Sequence, residues 1–553
     1  MRQTTLQGIS GRAIRLTVEK RLKQADYPLL ESPFRNRDEK DNAWRCEFWG
    51  KITRSAVTAA WATGDAELKK MLRTTVEKMM ATQTEEGCVS SYPAELQLKG
   101  WDVWGRKYVL LALLRYYEML DADPAVLECC RRIADHLMTQ IGSEEGKTDI
   151  LGCGWHNGLA ASSILGAFVA LWRLTKEERY RAFAEYIIRR GCSSLGNIFD
   201  DLRAGIVPAL LGSAKAYEMT SCFQGMAELV LLEPDPLRRE TLLRYYEAVR
   251  DREIFVTGVG GAKDICGEYW YDGALRQTRP GSYGLGETCV TATWIHYCMR
   301  ILELTGDAKV ADELEKSLYN GILGAMAPDG TRWVHINPTP LTGGGWKRCA
   351  DDQIGRGFGT PFGGNDCCRA QGPEGLVSAA LFAVTGPEAE PTVNLFEPLV
   401  SGDLVIEGNY PCEPEAVLHF TTAGRRKLRL RTPGFLARVM VNGTAVPFTA
   451  GRYLEIDREW IPGDRLKLTF DFTLREIPAP DGSPFVAVKR GPLVLAADSR
   501  GDLPEALVHE TWRGFPLCDY ASAGNLMCAE NPLTVWFPAG TASKKQGMKG
   551  DAE

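Results

Sequence analysis

Two adjacent cysteines carry the strongest chemical signal in this sequence. Cys367 and Cys368 follow Gly363-Gly364-Asn365-Asp366, and Gly372-Pro373 and an apolar run from Leu376 to Val384 come after them. This pattern reads as a loop that delivers two thiols to the start of a helix. A helix N-terminus lowers a thiol pKa, and so does a metal ion. Neighbouring cysteines scarcely fit ordinary disulfide geometry, so soft-metal ligation is their natural use. Upstream, Gly286-Glu287-Thr288-Cys289 opens an apolar helical stretch, Val290 to Leu304. Glu287 and Cys289 are two apart at that start, so both side chains can point off the same end. One carboxylate and three thiolates make a four-ligand set for zinc. The spacing is not a zinc-finger pattern. Cys129-Cys130 shows that a tandem pair also occurs in plain helix, and four ordinary residues among 16 cysteines is the competing reading.

The bulk numbers set the frame. At 553 residues the chain is long enough for two or more domains and a large core. Its 44% hydrophobic and 25% charged residues are ordinary for a globular protein. A net charge of -6 gives no reason to expect nucleic acid or an anionic membrane as partner. The opening Met1-Arg2-Gln3-Thr4-Thr5-Leu6-Gln7 has no apolar signal core, and no apolar run is long enough to cross a membrane. Many cysteines in such a chain suggest reduced thiols and a cytoplasmic location, which suits thiolate chemistry.

These residues need a scaffold, and a recurring turn supplies one. Residues 1 to about 40 read as an irregular lead-in with one basic helical piece, and helix begins at Phe48. Short breaks then separate apolar helices at Thr63-Gly64-Asp65, Leu120-Asp121-Ala122-Asp123-Pro124, Leu174-Thr175-Lys176-Glu177-Glu178, Leu232-Glu233-Pro234-Asp235-Pro236 and Leu304-Thr305-Gly306-Asp307. Their spacing of roughly 55 to 70 residues fits a helical hairpin plus connections. Five hairpins and a last helix at 376 to 385 predict an (α/α)6 toroid over residues 1–386, with its site among the loops at one end. An open helical solenoid is the alternative. After Pro387, short alternating runs such as Leu404-Val405-Ile406 and Leu428-Arg429-Leu430-Arg431, with turns at Asn442-Gly443 and Pro462-Gly463-Asp464, predict a β-sandwich over 387–540. It contributes no obvious acid, base or metal cluster. The polar tail, 541–553, reads as disordered.

The order of these pieces resembles the glycoside hydrolase family typified by bacterial β-L-arabinofuranosidase. The resemblance rests on Gly286-Glu287-Thr288-Cys289, Leu304-Thr305-Gly306-Asp307, Leu318-Tyr319-Asn320-Gly321, Cys367-Cys368 and Lys489-Arg490-Gly491-Pro492-Leu493-Val494, and covers about Phe48 to Val494. It implies a Zn2+ held by Glu287, Cys289, Cys367 and Cys368, with Cys367 as nucleophile. It implies a glutamate acid/base shortly before the Glu-Thr-Cys word, for which Glu268 is the candidate. A zinc-bound cysteine can replace the usual carboxylate nucleophile of a retaining glycosidase because the metal keeps it as thiolate.

The chain also departs from that pattern. Tyr108, Ala161 and Lys215 stand where the family places sugar-contacting histidines, Pro340 where it places a glutamate, and Asn365 where it places a cysteine. The reaction type is therefore better supported than L-arabinofuranose as the sugar. Candidates for a replacement substrate shell are His156 in the Gly152-Cys153-Gly154 loop, Lys215 with Tyr217 and Glu218 in a helix beginning near Ser213, Trp104 (with Trp101 and Arg106) ahead of the Tyr108 helix, and His335. A loop-capping or core role competes for His156, and a solvated loop carboxylate for Glu268. Lys215 inside a barrel needs a partner, either Glu218 or an acidic sugar.

The expected partner is a small carbohydrate or oligosaccharide, with a homodimer left open. Two other readings stand beside the hydrolase. One is another α/α-toroid activity, a lyase or unsaturated-uronide hydrolase, which would not need the tandem cysteines. The other is a non-catalytic carbohydrate-binding protein whose four-ligand zinc is structural.

Overall fold

The structure, a computed structural model, describes residues 2–40, 44–263, 267–279, 284–342, 366–501, 503–525 and 533–540. The polar tail and Asn365 lie outside the described residues. Six helices form an inner ring: Phe48–Thr63, Asp102–Met119, Leu165–Thr175, Ala216–Leu232, Thr288–Thr305 and Cys367–Val377. Each packs on the next and the last packs on the first, so the ring closes. Each inner helix also packs against an outer one: Ala66–Met80, Pro124–Gln140, Glu178–Arg190, Pro236–Arg252, Ala308–Lys316 and Ile9–Thr17. The expected (α/α)6 toroid is the observed one.

The recurring breaks hold helix caps, though not every break has both. Gly64 (φ 75°) and Gly306 (φ 60°) take the left-handed conformation that ends an inner helix. Lys176 does so without being glycine (φ 59°). The aspartate of the break then accepts a backbone N–H of the outer helix: Asp65 from Leu68 (2.7 Å), Asp123 from Ala125 (2.9 Å), Asp235 from Leu237 (2.9 Å) and Asp307 from Lys309 (3.0 Å).

Three local expectations are corrected. Residues 1–40 are not an irregular lead-in. They form strand Thr4–Leu6 and helices Ile9–Thr17 and Tyr27–Asn36, and Ile9–Thr17 is the sixth outer helix. The last inner helix does not run from 376 to 385. It begins at Cys367 and ends at Val377, a short turn follows over Ala379–Phe382, and Val384–Thr385 is a strand. Trp104 and Arg106 do not precede the Tyr108 helix but lie within it, because it starts at Asp102.

The C-terminal region is β, and its architecture is richer than one sandwich. A seven-stranded sheet runs through Leu399–Ser401, Leu404–Gly408, Glu415–Phe420, Leu466–Phe470, Leu436–Val441 and Thr444–Ala445, with Thr4–Leu6 closing one edge. A four-stranded sheet of Arg452–Trp460, Gly424–Thr432, Thr392–Val393 and Val384–Thr385 packs on it, and the rings of Phe420 and Trp460 meet at 5.1 Å between centroids. A third sheet, built on Arg475–Pro478, Phe485–Arg490, Leu493–Asp498, His509–Trp512 and Phe515–Asp519, lies beyond the alternating runs that suggested a sandwich.

Buried Arg431 ties sandwich to ring. Its guanidinium meets Asp312 Oδ1 at 2.5 Å and Glu315 Oε1 at 2.7 Å, and Tyr410 donates to the same Glu315 oxygen at 2.7 Å. Burial raises the Glu315 pKa, and Arg431 opposes that rise. Removing one partner of a buried charge network leaves the other uncompensated. Arg431→Met should therefore destabilise the protein by about 3–5 kcal/mol, read as a lower urea midpoint. An unchanged midpoint would contradict this account of the junction.

Candidate active site

The thiols and Glu287 converge because two inner helices begin at the same end of the ring. Cys367 and Cys368 open the last inner helix, and Asp366 caps it by accepting the Arg369 N–H at 2.6 Å. Cys289 is the second residue of helix Thr288–Thr305, and Glu287 immediately precedes that helix, closing strand Leu285–Glu287. That strand pairs antiparallel with Ile336–Pro338, Glu287 opposite Ile336. The Thr288 N–H donates to the His335 carbonyl at 3.2 Å. Gly286 bridges Gly261, and a Cβ on Gly286 would sit 2.5 Å from Val259 Cβ, so the strand needs glycine there.

The four expected ligand atoms lie within 4.8 Å of one another. A tetrahedral ion with bonds of about 2.3 Å to sulfur holds its sulfurs about 3.8 Å apart. Cys367 Sγ and Cys368 Sγ are 3.9 Å apart. Glu287 Oε1 lies 3.8 Å from Cys367 Sγ and 3.3 Å from Cys368 Sγ. The Cys289 N–H points at Cys368 Sγ from 3.4 Å. Without a cation these acids crowd one another. Burial, and then the Glu268 carboxylate, push the Glu287 pKa well up. Contact with Cys289, with burial adding, does the same to the Cys367 thiol, and burial followed by contact with Cys289 and Cys367 does so to Cys368. A divalent cation at the centre would relieve that repulsion, and the donor set fits one. Glu287, Cys289 and Cys368 are fully buried, whereas Cys367 keeps partial exposure.

Glu268 joins the cluster from outside the ligand set. Its Oε1 is 3.8 Å from Cys367 Sγ. Burial opposes its ionisation, but the Lys215 ammonium and the hydrogen bonds from Glu287 and Lys215 together hold the carboxyl well below the usual range. Lys215 donates directly to Glu268 Oε2. The backbone reinforces this pair: Lys215 bridges Tyr269, Ala216 N–H donates to the Glu268 carbonyl at 2.8 Å, and Trp270 N–H to that of Ala214 at 2.9 Å. The helix carrying Glu218 starts at Ala216, with Lys215 at its N-cap, rather than near Ser213. Because Lys215 already has Glu268, its charge gives no ground for an acidic sugar.

The other named residues fall in three places. His335 is buried beside the cluster, its Nδ1 3.9 Å from Cys367 Sγ and its Nε2 3.6 Å from Glu287 Oε1. His156 sits on the rim, left-handed at φ 58°, with its ring 5.5 Å from Trp101 and its Nε2 3.9 Å from Glu218 Oε1. Burial, with Lys215 adding, pushes its pKa down to about 4, so it is neutral at neutral pH. Tyr108 and Trp104 lie buried in the ring interior. Tyr108 hydrogen-bonds Tyr217, and Trp104 donates to Glu47 Oε2 at 2.5 Å. Sequence reasoning missed the lysines packed there. Lys51 pairs with Glu47 at 3.0 Å and lies 4.9 Å over the Tyr217 ring, and Lys107 lies 4.1 Å over the Trp104 ring. The available signal was a lysine inside a helix with few charged residues, as in Phe48–Thr63.

The C-terminal sheets contribute through support. Val494 N–H donates to Asn320 Oδ1 at 2.8 Å, and Asn320 Nδ2 donates to the Pro492 carbonyl at 3.2 Å. Asn337 Nδ2 donates to the Gly321 carbonyl at 2.7 Å, and Tyr520 OH to the Pro338 carbonyl at 2.7 Å. The third sheet thus braces strand Ile336–Pro338, which holds the Glu287 strand. At the opposite end of the ring a cavity of about 660 Å³ opens among Leu114, Leu232 and Met299. It has no thiol in its lining, and its rim charges pair as Arg173–Glu118 (2.6 Å) and Arg300–Glu303 (2.8 Å).

Comparison with known proteins agrees with this architecture. Residues 3–380 match the model of the β-L-arabinofuranosidase GH127 catalytic domain, and residues 400–472 that of the GH127 middle domain. A non-reducing end β-L-arabinofuranosidase of Bifidobacterium longum subsp. longum is 24% identical over 314 residues, which cover 50% of this chain and 46% of that protein. The chain therefore matches about half the length of that relative. The crystal structure of a GH127 β-L-arabinofuranosidase from Geobacillus stearothermophilus T6 superposes with a TM-score of 0.75 at 20% identity, covering 97% of this chain and 100% of that one. A second GH127 β-arabinofuranosidase structure gives 0.77 at 19% identity, covering 97% and 96%. The ring, the sheets behind it and the matched domains together make this chain a member of the GH127 β-L-arabinofuranosidase family of glycoside hydrolases.

Proposed function

We propose that this chain is a retaining glycoside hydrolase, with Cys367 as nucleophile and Glu268 as acid/base, acting on an L-arabinofuranoside or a related sugar. Residues 1–386 are the catalytic unit and 387–540 a β-rich brace, with strand Thr4–Leu6 reaching across to it. The observation that carries this reading is the position of Cys367 Sγ, 3.8 Å from the ligand oxygen of Glu287 and 3.8 Å from Glu268 Oε1. One sulfur can therefore serve both as ligand and as reagent, and it belongs to the partly exposed member of the four.

Glu287, Cys289, Cys367 and Cys368 would hold a zinc ion, which supplies a positive charge that keeps the thiols ionised at neutral pH. In the first step a lone pair of Cys367 Sγ forms a bond to the anomeric carbon. The bond from that carbon to the leaving oxygen breaks, and the oxygen takes a proton from Glu268. In the second step Glu268 takes a proton from water as the water oxygen bonds to the anomeric carbon. The carbon–sulfur pair returns to Cys367 as thiolate. Retaining glycosidases set their two reactive groups about 5 Å apart, so Cys367 and Glu268 must open by about 1 Å around a sugar. Lys215 suits Glu268 to the second step, where a carboxylate is needed. The first step requires that pair to part as the leaving group enters.

Cys367→Ala should abolish turnover of aryl arabinofuranosides, a loss of at least about 10³-fold. Wild-type turnover in this variant would favour a toroid lyase or uronide hydrolase. Glu268→Gln should slow poor leaving groups by about 10²–10⁴-fold and good ones far less. An equal loss across leaving groups would remove Glu268 from the acid role. Dialysis against a strong chelator should remove zinc, erase activity and lower the thermal midpoint, and added zinc should restore all three. A metal-free protein with full activity would overturn the thiolate argument.

A further inference from the structure

A nucleophile that is also a metal ligand raises a coordination problem. Once Cys367 sulfur is bonded to the anomeric carbon it is a neutral thioether. The thiolate is the form that binds metal well, so Cys367 would then no longer serve as an anionic donor to a bound ion. A three-ligand site has an open position, which water can fill. Water there would compete with the carboxylate-activated water of the second step.

The fold supplies another donor. A second group of metal-ligating atoms, on His335, Asp366, Cys367 and Cys368, also lies within 4.8 Å of one another. It shares Cys367 and Cys368 with the first set. Asp366 is already committed, since its Oδ1 caps the helix through the Arg369 N–H at 2.6 Å and its Oδ2 lies 3.3 Å from Arg369 Nε. Only His335 is a new donor. Its ring lies between the two groups that matter, with Nδ1 3.9 Å from Cys367 Sγ and Nε2 3.6 Å from Glu287 Oε1.

His335 is also well anchored. Its side chain is 1% exposed. Its carbonyl accepts the Thr288 N–H at the start of the Cys289 helix, and the next three residues pair with the Glu287 strand. The imidazole therefore moves with the ligand set. Rotation of the ring about its side-chain bonds would turn a nitrogen toward the ion's place, from a position already beside Glu287 and Cys368. Imidazole is a good zinc donor at a bond length of about 2.0–2.1 Å.

We propose that His335 is the reserve ligand of the site: it takes the place of Cys367 at the metal while Cys367 is bonded to sugar. The inference rests on the zinc-thiolate reading of the proposed function. It makes His335 a positioning residue, which keeps the metal closed and water out during the second half of the reaction.

The test is metal content and coordination in wild type, His335→Ala, His335→Gln, Cys367→Ala and the Cys367→Ala/His335→Ala double variant. Each is purified without added metal and then titrated with zinc. The wild type and both His335 variants should bind close to one zinc per chain, since the four-ligand set is intact. Cys367→Ala should keep more than about half of its metal, because four donors still close the site, and the double variant should lose it. X-ray absorption at the zinc edge should read three sulfurs in the wild type. In Cys367→Ala it should read two sulfurs and one added imidazole, absent from the double variant. Metal in the wild type with equal metal in Cys367→Ala and the double variant, or equal loss from both, overturns the reserve-ligand role and leaves the zinc site standing. A wild type that binds no zinc overturns the zinc site itself, and this inference with it.

Discussion

The structure depends on packing several acids against a ring of helix starts. Glu287, Cys289, Cys367 and Cys368 lie at or just before the first turns of two inner helices, and Lys215 stands at the N-cap position of a third. Helix N-termini present unpaired N–H groups and partial positive charge, which favours anions there. The Cys289 N–H aimed at Cys368 Sγ is one such contact. It cannot balance three thiolates and two carboxylates in a buried space. Burial first, and the neighbouring acids after it, raise the pKa of Glu287 and Cys368, and contact with Cys289, with burial adding, raises that of Cys367. A compact cation would relieve that crowding, and the 3.9 Å between Cys367 Sγ and Cys368 Sγ fits a tetrahedral one.

That constraint explains why so much of the chain is spent on bracing. The Glu287 strand is only three residues long and could not hold position alone. It is paired to Ile336–Pro338, which is tied through Asn337 to Gly321 and through Tyr520 to the third sheet. Asn320 links the same region to Pro492 and Val494. Motifs far apart in the chain thus meet in one hydrogen-bonded wall behind the ligands. The described residues of the β region brace the candidate site through these hydrogen bonds.

The Lys215–Glu268 pair is the second constraint. It anchors the acid/base candidate beside Cys367 and holds it as a carboxylate at rest. It also consumes the charge that had suggested an acidic substrate. The lysines in the ring interior follow a related logic. Lys51 is matched by Glu47, while burial pushes the Lys107 pKa down to about 7.

Much of this was legible in the chain because it is local. Cap residues announce themselves, so Gly64-Asp65 and Gly306-Asp307 revealed helical hairpins, and Glu287-Thr288-Cys289 and Cys367-Cys368 marked candidate ligands by type and position. The N-terminal forty residues were misread because their helix acquires its role only by packing on the Cys367 helix, the most distant inner one in sequence. The third sheet escaped notice because its strands lack the clean alternation that burial on one face produces. No local pattern could say that Lys215 faces Glu268 rather than a substrate, that Tyr108 and Trp104 are buried, or that His335 sits between Cys367 and Glu287. Those are facts of long-range packing, in which side chains far apart in sequence share one low-dielectric space and their charges must be settled together.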